Sequence, residues 1–296
     1  MTDVLRVSMV QTTSHNTHAV NVDELRAAAA FAAEDGATML AMPEAAGLMD
    51  RNKDHARAQI TTEDQDPYIA ACREEAAARG LWIHSGSCPI KSPDGRYLNH
   101  TVLVDPSGEI VARYDKIHLF DVFLEGRPAT GESSRYAPGE TAVLADTPFG
   151  PLGMTICYDL RFPHLYRDYA LAGANVLFAP SAFTVPTGRA HWEVLLRARA
   201  IETGSYVVAA AQVGNHADGR VTWGHSLIVS PWGEVMADLG GEAPGQITLD
   251  LPLNAVESAR RQIPNLKNAR DYDFLRVPEG ANAPTTQQKT PTGAFS

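Results

Sequence analysis

The chain has 296 residues, of which 44% are hydrophobic, and this is enough to bury a sizeable core in one or two domains. Its formal net charge is −10 at pH 7 and no block of lysine or arginine occurs, so the sequence disfavours a nucleic-acid-binding surface, although a local cationic pocket is still compatible with it. The longest apolar runs are far too short to span a bilayer, so we expect no membrane partner.

The first third of the chain alternates between strand and helix patterns. The predicted elements are strands at 4–11 and 37–44 and helices at 21–36 and 66–79. Gly36 suits a left-handed cap at the end of the first helix. Asp66 and Pro67 suit the N-cap and the first helical position of the second. This alternation predicts a sheet with helices packed against it.

The rest of the chain mixes strand meanders with further strand–helix units. Strands are predicted at 81–90, 98–105, 109–115, 141–147, 153–157, 174–182, 205–213 and 246–251, a hairpin around 230–234, and helices at 164–173 and 190–204. The pattern predicts one mixed α/β domain over residues 1–275, without internal repeats. Residues 276–296 are rich in Pro, Gly, Gln and Thr, which predicts a tail that is disordered or lies at a subunit interface.

The cysteines and the N-terminal sequence bear on the cellular compartment. Three cysteines form neither an even disulfide framework nor a CxxC pair, which is typical of a reducing environment. The start, MTDVLRVSMVQ, lacks a charged region followed by an apolar one and does not resemble a secretion signal. We therefore expect a cytoplasmic protein.

Cys157 lies where the predicted strand GMTIC gives way to the polar stretch YDLR. Ligands of open α/β sheets often bind at the carboxyl ends of strands, so a thiol at this position can serve as a nucleophile. A buried structural thiol is the alternative, and from position alone it is the more common one. Cys72, inside a predicted helix, and Cys88, which precedes Pro89, are expected to be packing residues.

A nucleophilic thiol needs a base for its proton and a donor for the oxyanion that it creates. His118 and His164 are candidate bases. Glu44 is another, because apolar surroundings raise the pKa of a carboxyl group, although a water-exposed acid past a strand end fits the same pattern. Lys116 either stabilises negative charge in the same cleft or is a surface lysine. Glu44, Lys116 and Cys157 each lie at the carboxyl end of a predicted strand, so they can converge if those strands run together.

Other chemistries find little support in the sequence. There is no HExxH, no CxxC and no dense His/Asp cluster, so no metal site is expected. His84 and Cys88 are four residues apart on one predicted strand, without further ligands beside them. The sequence also lacks the common nucleotide-binding motifs GxxxxGK[ST] and GxGxxG. It lacks GxSxG as well, the motif that carries the nucleophile of many serine hydrolases.

Together these residues resemble the nitrilase superfamily of carbon–nitrogen hydrolases, over about residues 4–275. Three motifs carry the resemblance in family order: MLAMPE with Glu44, RYDKIHLFD with Lys116 and GMTICYDLRFP with Cys157. PGE (138–140), AHWEVLLRARAIE (190–202) and WGHSLIVSPWGEV (223–235) add to it. The resemblance implies a four-layer αββα sandwich of two mixed β-sheets flanked by helices, a Glu-Lys-Cys triad, no cofactor, and assembly into homodimers or larger homo-oligomers.

The resemblance also implies a role for each residue. Glu44 would be the general base and Cys157 the nucleophile, while the Lys116 ammonium and the Tyr158 backbone N–H would hold the oxyanion. Glu132, in GESSRYAPG, matches a second glutamate that orients the lysine and the substrate; a solvated loop acid is the alternative. Attack of the thiolate on an amide carbon would give a thioester, which water then hydrolyses.

The residues around the nucleophile also bear on the substrate. Tyr158-Asp159 stand where nitrile-hydrolysing members carry Trp-Glu, which favours amide substrates. The motifs look most like the branch of deaminated glutathione amidases and ω-amidases. Arg161 and Phe183 are expected to bind substrate; Arg161 can pair bidentately with a substrate carboxylate or be tied to a neighbouring acid such as Asp159. Arg189 stands where a proline is common, which leaves fine specificity open.

The leading hypothesis is therefore a cysteine-dependent amidase that acts on a small carboxylate-bearing amide. Hydrolysis of an N-carbamoyl amino acid or amine would use the same triad. A non-catalytic binding relative would keep the fold, although the presence of all three triad residues argues against it. A papain-like Cys–His hydrolase would depend on His118 or His164, whereas the amidase would depend on Glu44.

Overall fold

The structure is a computed structural model that describes residues 2–123, 130–277 and 279. The tail predicted over 276–296 lies outside the described residues except for positions 276, 277 and 279. The helices are α1 (His18–Glu34), α2 (Lys53–Arg57), α3 (Pro67–Arg79), α4 (Pro163–Leu171), α5 (Val185–Thr203) and α6 (Asn254–Gln262). In this part of the chain no helix combines the length and the hydropathy of a membrane span.

The described strands are short, two to eight residues long, and fall into two large sheets and two small ribbons. They are β1 (Val4–Gln11), β2 (Met39–Ala41), β3 (Trp82–His84), β4 (Cys88–Lys91), β5 (Tyr97–Val104), β6 (Ile110–Asp115), β7 (Asp121–Val122), β8 (Thr130–Gly131), β9 (Val143–Ala145), β10 (Leu152–Met154), β11 (Val176–Phe178), β12 (Tyr206–Ala209), β13 (Val213–Asn215), β14 (Val221–Trp223), β15 (Leu227–Val229), β16 (Val235–Asp238) and β17 (Gly245–Pro252).

Both large sheets are mixed. The first has seven strands in the order β17-β1-β2-β3-β5-β4, with β6 paired to β5. Strands β1, β2 and β3 are parallel, and the remaining pairings are antiparallel. The second sheet has the order β16-β15-β12-β11-β10-β9 with a parallel centre of β10, β11 and β12. The parallel strands are joined through helices, as the alternating sequence pattern predicts.

Alternation of side chains along the strands divides the core into two clusters. Met39 and Ala41 of β2 pack in a cluster that joins the two sheets and also takes in residues of α4 and α5. Leu40 and Met42 point the other way, into a cluster with residues of α1 and α3. The layers therefore run helix, sheet, sheet, helix, which confirms the predicted αββα sandwich.

The helix caps follow the predicted signals. The Asp66 carboxylate accepts hydrogen bonds from the backbone N–H groups of Tyr68 and Ile69, at 2.9 and 3.0 Å, and Pro67 is the first residue of α3. Gly36 follows α1 with φ +69°, the left-handed conformation predicted for it. These local signals depend on a few neighbouring residues, so they can be interpreted without the tertiary structure.

The single strand predicted over 81–90 is wrong, because the chain turns between β3 and β4. Gly86 has φ +72°, and a Cβ atom at this position would lie 2.0 Å from the carbonyl oxygen of Pro43. Only glycine fits this left-handed turn against the chain that leads to Glu44. His84 and Cys88 consequently lie on different strands and do not share one strand face.

Other differences concern elements with weak sequence signals. Helix α5 begins at Val185, five residues before the predicted start, because Pro186 is tolerated in the first helical turn. The short helix α2, the helix α6 and the ribbon of β13 and β14 are not predicted from the sequence. Helix α2 and the turn between β13 and β14 contribute residues to the site described below.

Candidate active site

Three strand ends bring the predicted triad into one cavity. Glu44 follows β2, Lys116 directly follows β6 and Cys157 follows β10, so the residues come from both large sheets. Strands β2 and β6 run in the same direction, because two antiparallel pairings separate β6 from β3. All three side chains line a cavity of about 230 Å³, and Glu132 lines it as well.

Lys116 is buried between two carboxylates. Its Nζ donates to Oε1 of Glu44 at 2.9 Å and to both carboxylate oxygens of Glu132, at 2.8 and 3.1 Å. Burial alone would lower the pKa of Lys116, but the charges of Glu132 and Glu44 outweigh it and hold that pKa well above its ordinary value. The amine is therefore an ammonium ion throughout the physiological pH range.

Asn99 and Phe120 fix the two carboxylates and are missed by sequence reasoning. The Asn99 side-chain amide donates to Glu44 at 3.0 Å and to Glu132 at 3.2 Å, and the backbone N–H of Phe120 donates to Glu132 at 2.7 Å. Asn99 lies on β5, beside the strand end that carries Lys116, whose N–H donates to the Asn99 carbonyl at 2.9 Å. Asn99 is followed by His100 and Thr101 on the same strand, so no distinct sequence signal marks it.

The motif PGE supports the strand end that carries Lys116. Gly139 donates its N–H to the Lys116 carbonyl at 2.8 Å. A Cβ atom on Gly139 would lie 2.1 Å from the carbonyl oxygen of Asp115, so a side chain would push this segment away. The glycine therefore allows two backbone segments to approach closely beside the buried ammonium.

Cys157 starts a 3-10 turn that extends to Arg161, three residues beyond the end of β10. Its φ of +50° lies in the left-handed region, which is costly for a residue with a Cβ, and its N–H donates to the Pro180 carbonyl at 2.9 Å. The predicted strand over 153–157 ends earlier, at Met154. The sharp turn directs the thiol into the cavity instead of along the strand.

A buried carboxylate, Asp159, holds this turn. One of its oxygens accepts from the Ile156 N–H at 2.8 Å and from the Tyr114 hydroxyl at 2.6 Å; the other accepts from the backbone N–H and the ring Nδ1 of His118, at 3.0 and 2.7 Å. Tyr114 and His118 flank Lys116 in sequence. Asp159 therefore ties the turn of the thiol to the strand end of the ammonium.

The thiol of Cys157 is protonated at rest. Burial raises its pKa well above the ordinary value, and the negative charge of Glu44 and a hydrogen bond to it raise the pKa further. The Lys116 ammonium and the Ala182 backbone N–H act in the opposite direction, because both favour the thiolate. The arrangement therefore holds a thiol next to a carboxylate that can accept its proton, rather than a free thiolate.

The structure separates the two predicted substrate-binding residues. Phe183 lines the cavity and packs on Trp192, with ring centroids 4.8 Å apart. Arg161 is not among the residues that line the cavity; its guanidinium lies over the rings of Tyr158 and Phe183, 5.9 and 5.5 Å from their centroids, and Nη2 contacts His191 at 3.3 Å. Its partners are thus aromatic rings, and neither a substrate-facing position nor the ion pair with Asp159 is observed.

The two histidines considered as bases lie away from the thiol. His118 is bound to Asp159 and stacks on Phe162, with centroids 3.5 Å apart, while His164 is exposed and packs edge-on against His118. Neither lines the cavity. Tyr158, whose backbone N–H is the predicted oxyanion donor, does line it.

Three arginines that sequence reasoning passes over line the cavity instead: Arg51, Arg135 and Arg220. Arg220 is paired with Asp218 at 2.6 Å, and Arg135 donates to the Asp50 carbonyl at 2.9 Å. Arg51 has no ion pair with another described residue. Among the described residues, no group of three or more His, Cys, Asp or Glu side chains is arranged to hold a metal ion.

Comparison with known proteins gives consistent matches. A family model described as carbon-nitrogen hydrolase matches residues 6–261. The chain is 42% identical over 246 residues to the deaminated glutathione amidase of Yersinia enterocolitica, covering 81% of this chain and 84% of the relative. It is 40% identical over 247 residues to the deaminated glutathione amidase of Homo sapiens, covering 81% and 74%.

Two solved structures extend the comparison to the fold and the thiol. The C. elegans NitFhit protein superimposes with a TM-score of 0.83 at 36% identity, covering 91% of this chain and 66% of that one. A mutant of the amidase from Nesterenkonia sp. AN1 superimposes with a TM-score of 0.72 at 28% identity, covering 88% and 98%. That second structure shows the result of Michael addition of acrylamide at the active-site cysteine.

Proposed function

The chain belongs to the carbon–nitrogen hydrolase family, and we propose that it is a cysteine-dependent amidase acting on a small carboxylate-bearing amide, of the deaminated glutathione or 2-oxoglutaramate type. One observation carries this proposal: a buried ammonium, held by two carboxylates, lies in the same cavity as a thiol on a strained turn. This set supplies a nucleophile, a base and a positive charge for an oxyanion.

The first half of the reaction forms a thioester. Glu44 accepts the proton of Cys157 as sulfur attacks the amide carbon, so the carbonyl oxygen becomes negatively charged. The Lys116 ammonium and the Tyr158 backbone N–H stabilise that oxyanion. The C–N bond then breaks, and the nitrogen leaves as ammonia or an amine with the proton that Glu44 had accepted.

The second half releases the acid. Water enters where the amine had been, Glu44 takes one of its protons, and the oxygen attacks the thioester carbon. The C–S bond breaks and sulfur recovers the proton, so thiol and carboxylate return to their resting state. Glu132 accepts hydrogen bonds from Lys116 and Phe120, and it thereby keeps the ammonium directed at the cavity through both halves.

The charges that line the cavity favour an anionic substrate. Glu44 and Glu132 offset Lys116, Asp218 outside the lining offsets Arg220, and the third lining carboxylate, the buried Asp50, is paired with His55. Arg51 and Arg135 form no direct ion pair with a carboxylate among the described residues, although the charge of Arg51 helps to lower the pKa of Asp218. A cavity with two such guanidinium groups, in a protein of net charge −10, is the local cationic site expected for a substrate carboxylate. Arg51 takes the role that the sequence suggested for Arg161.

A substrate panel tests the reaction and its base. The panel consists of 2-oxoglutaramate, deaminated glutathione, a neutral aliphatic amide and an N-carbamoyl amino acid, and the release of ammonia or amine is measured. We expect turnover of the first two compounds. Preference for the N-carbamoyl compound would favour the alternative reaction, and turnover of none would contradict the proposal.

Two variants distinguish the glutamate base from a histidine base. Glu44→Gln should reduce turnover at least about 10³-fold, because both proton transfers use this carboxylate. His164→Gln is the matched control and should retain at least a third of wild-type kcat, since this exposed ring does not line the cavity. The opposite pattern would support a Cys–His hydrolase.

We further propose a cytoplasmic homodimer or larger homo-oligomer. All three cysteines are free, which fits a reducing compartment. Several exposed apolar side chains lie on the outer layer of the second sheet: Leu171, Val194, Ile201 and Trp232. Such a face favours self-association. Light scattering should give at least twice the mass of one chain, and Val194→Glu should lower it; a wild-type monomer would contradict the assembly.

A further inference from the structure

A second cavity of about 590 Å³ adjoins the catalytic cavity. Arg135 and Tyr136 line both cavities, so their side chains form the boundary between the two. Ser133 and Ser134, which directly follow the catalytic Glu132 in one 3-10 turn, line the second cavity only. The two spaces therefore lie on either side of the turn that holds Lys116.

The second cavity is basic, and we call it the basic groove. Four cationic side chains line it and no described carboxylate does: Lys53, Arg57, Arg96 and Arg135. Arg96 is paired with Asp94 at 2.6 Å. Lys53 and Arg57 have no ion-pair partner among residues 2–123, 130–277 and 279. A concave surface with this charge attracts anions, although the protein as a whole is acidic.

Helix α2 presents the two unpaired cations to the groove. The Asn52 side chain accepts hydrogen bonds from the N–H groups of Asp54 and His55, which fixes the start of the helix. Lys53 and Arg57 are one turn apart and line the groove, whereas Ala56 lines the catalytic cavity. One short helix thus separates the two spaces and contributes to both.

The size of the catalytic cavity limits what it can enclose. About 230 Å³ is less than the roughly 300–1,000 Å³ typical of sites for drug-sized ligands. A small acyl group fits next to Cys157, but an amide with a peptide-sized amine has to extend beyond this space. The basic groove is the adjoining space that could receive the amine.

We propose that the basic groove binds a carboxylate at the far end of the leaving amine, with Lys53 and Arg57 as its principal contacts. Among amides of a peptide amine, the site prefers those whose two halves are both anionic: the acyl half pairs with Arg51 in the catalytic cavity, and the amine half, a short peptide with a free carboxyl terminus, pairs with the groove. This subsite rests on the proposed amidase function and adds a determinant of its specificity.

The test compares two amides that share one acyl group and one dipeptide amine. One ends in a free carboxylate and the other in a carboxamide, and kcat/KM is measured for both with the wild type and with Lys53→Ala/Arg57→Ala. The wild type should prefer the carboxylate, and the double variant should lose about tenfold of that preference. Raised salt should weaken the wild-type preference as well.

A control variant shows whether a change in the kcat/KM ratio comes from the basic groove. Arg26→Ala/Arg79→Ala removes the same charge from the outer helical layer and should keep the wild-type ratio. Because both amides are measured on one preparation, partial misfolding cancels from the ratio. A wild type without preference, or an unchanged ratio in the groove variant, would overturn the subsite while turnover of 2-oxoglutaramate persists. Turnover of no panel compound would instead overturn the amidase function and the subsite with it.

Discussion

Asp159→Asn tests how the thiol and the ammonium are held together. The substitution keeps the size of the side chain but replaces one acceptor oxygen by an NH2 group. The wild-type carboxylate is fully buried and receives four donors, two on each oxygen, and each pair includes one backbone N–H. Tyr114 can rotate its hydroxyl and the ring of His118 can change tautomer, but a backbone N–H cannot become an acceptor.

The expected loss of stability follows from the number of hydrogen-bond donors that lose their acceptor. Whichever way the new amide is placed, one buried N–H group, of Ile156 or His118, faces the NH2 group and loses its partner. An unsatisfied buried donor costs about 1–3 kcal/mol, and the remaining bonds lose the strength that the negative charge gave them. We expect Asp159→Asn to lower the free energy of unfolding by about 2–4 kcal/mol.

The kinetics of Asp159→Asn test its role in positioning Cys157, apart from its contribution to stability. Cys157 is held at φ +50° by the turn that Asp159 braces, so a relaxed turn displaces the sulfur from Lys116 and the substrate. A misplacement of about 1 Å costs about 10²-fold in rate. Folded Asp159→Asn should therefore show kcat reduced about 10²-fold with KM within about threefold of wild type. Partial unfolding would also lower the apparent kcat at unchanged KM, so kcat is first divided by the folded fraction that circular dichroism gives under the assay conditions.

The assays are urea denaturation followed by circular dichroism, and kinetics on 2-oxoglutaramate below the onset of unfolding. Asp168→Asn, an exposed aspartate on α4, is the control and should change stability by less than about 0.5 kcal/mol. Wild-type kcat with a stability loss below about 1 kcal/mol would refute the bracing role of Asp159.

Two further predictions concern the fold around the site. Gly86→Ala should lower the free energy of unfolding by more than about 2 kcal/mol, because its Cβ would lie 2.0 Å from the Pro43 oxygen. Gly95 has a similar φ, but no atom lies within 4 Å of the position that its Cβ would take. Gly95→Ala should therefore lower the free energy of unfolding by only about 1 kcal/mol in the same urea titration. Burial lowers the pKa of His84 to about 3. The unfolded chain binds this proton below about pH 6.5, so wild-type stability should fall by about 2 kcal/mol between pH 7 and pH 5 on account of His84. The stability difference between wild type and His84→Asn should therefore narrow over that range, and a constant difference would contradict the pKa shift.

The backbone positions of the triad can be predicted from the sequence for a local reason. A hydrophobic run ends at Glu44 and at Cys157, and an alternating strand pattern ends at Lys116, so each residue marks the point at which a strand gives way to polar groups. The caps at Gly36 and Asp66 depend on similarly local signals. Convergence in one cavity depends on two sheets facing each other, and the resemblance to a known family supplied that expectation.

The remaining features depend on tertiary structure. Arg161 lies in the same turn as the thiol, but the turn directs its guanidinium over Tyr158 and Phe183 instead of into the cavity. Arg51 comes from a segment with no clear sequence signal, just before the short helix α2. Asp159 lies in the motif GMTICYDLRFP, but its positioning role cannot be predicted from that motif, because it acts through hydrogen bonds to groups more than 35 residues away in sequence.

The most direct test of the central claim is the turnover of 2-oxoglutaramate by Cys157→Ala. Removing the sulfur should reduce kcat at least about 10³-fold, because no thioester can form, while the binding of 2-oxoglutaramate persists. Cys72→Ala, which removes a buried thiol from α3, should keep kcat within about threefold of wild type. If Cys157→Ala retained more than a tenth of wild-type kcat, covalent catalysis at this residue would be contradicted.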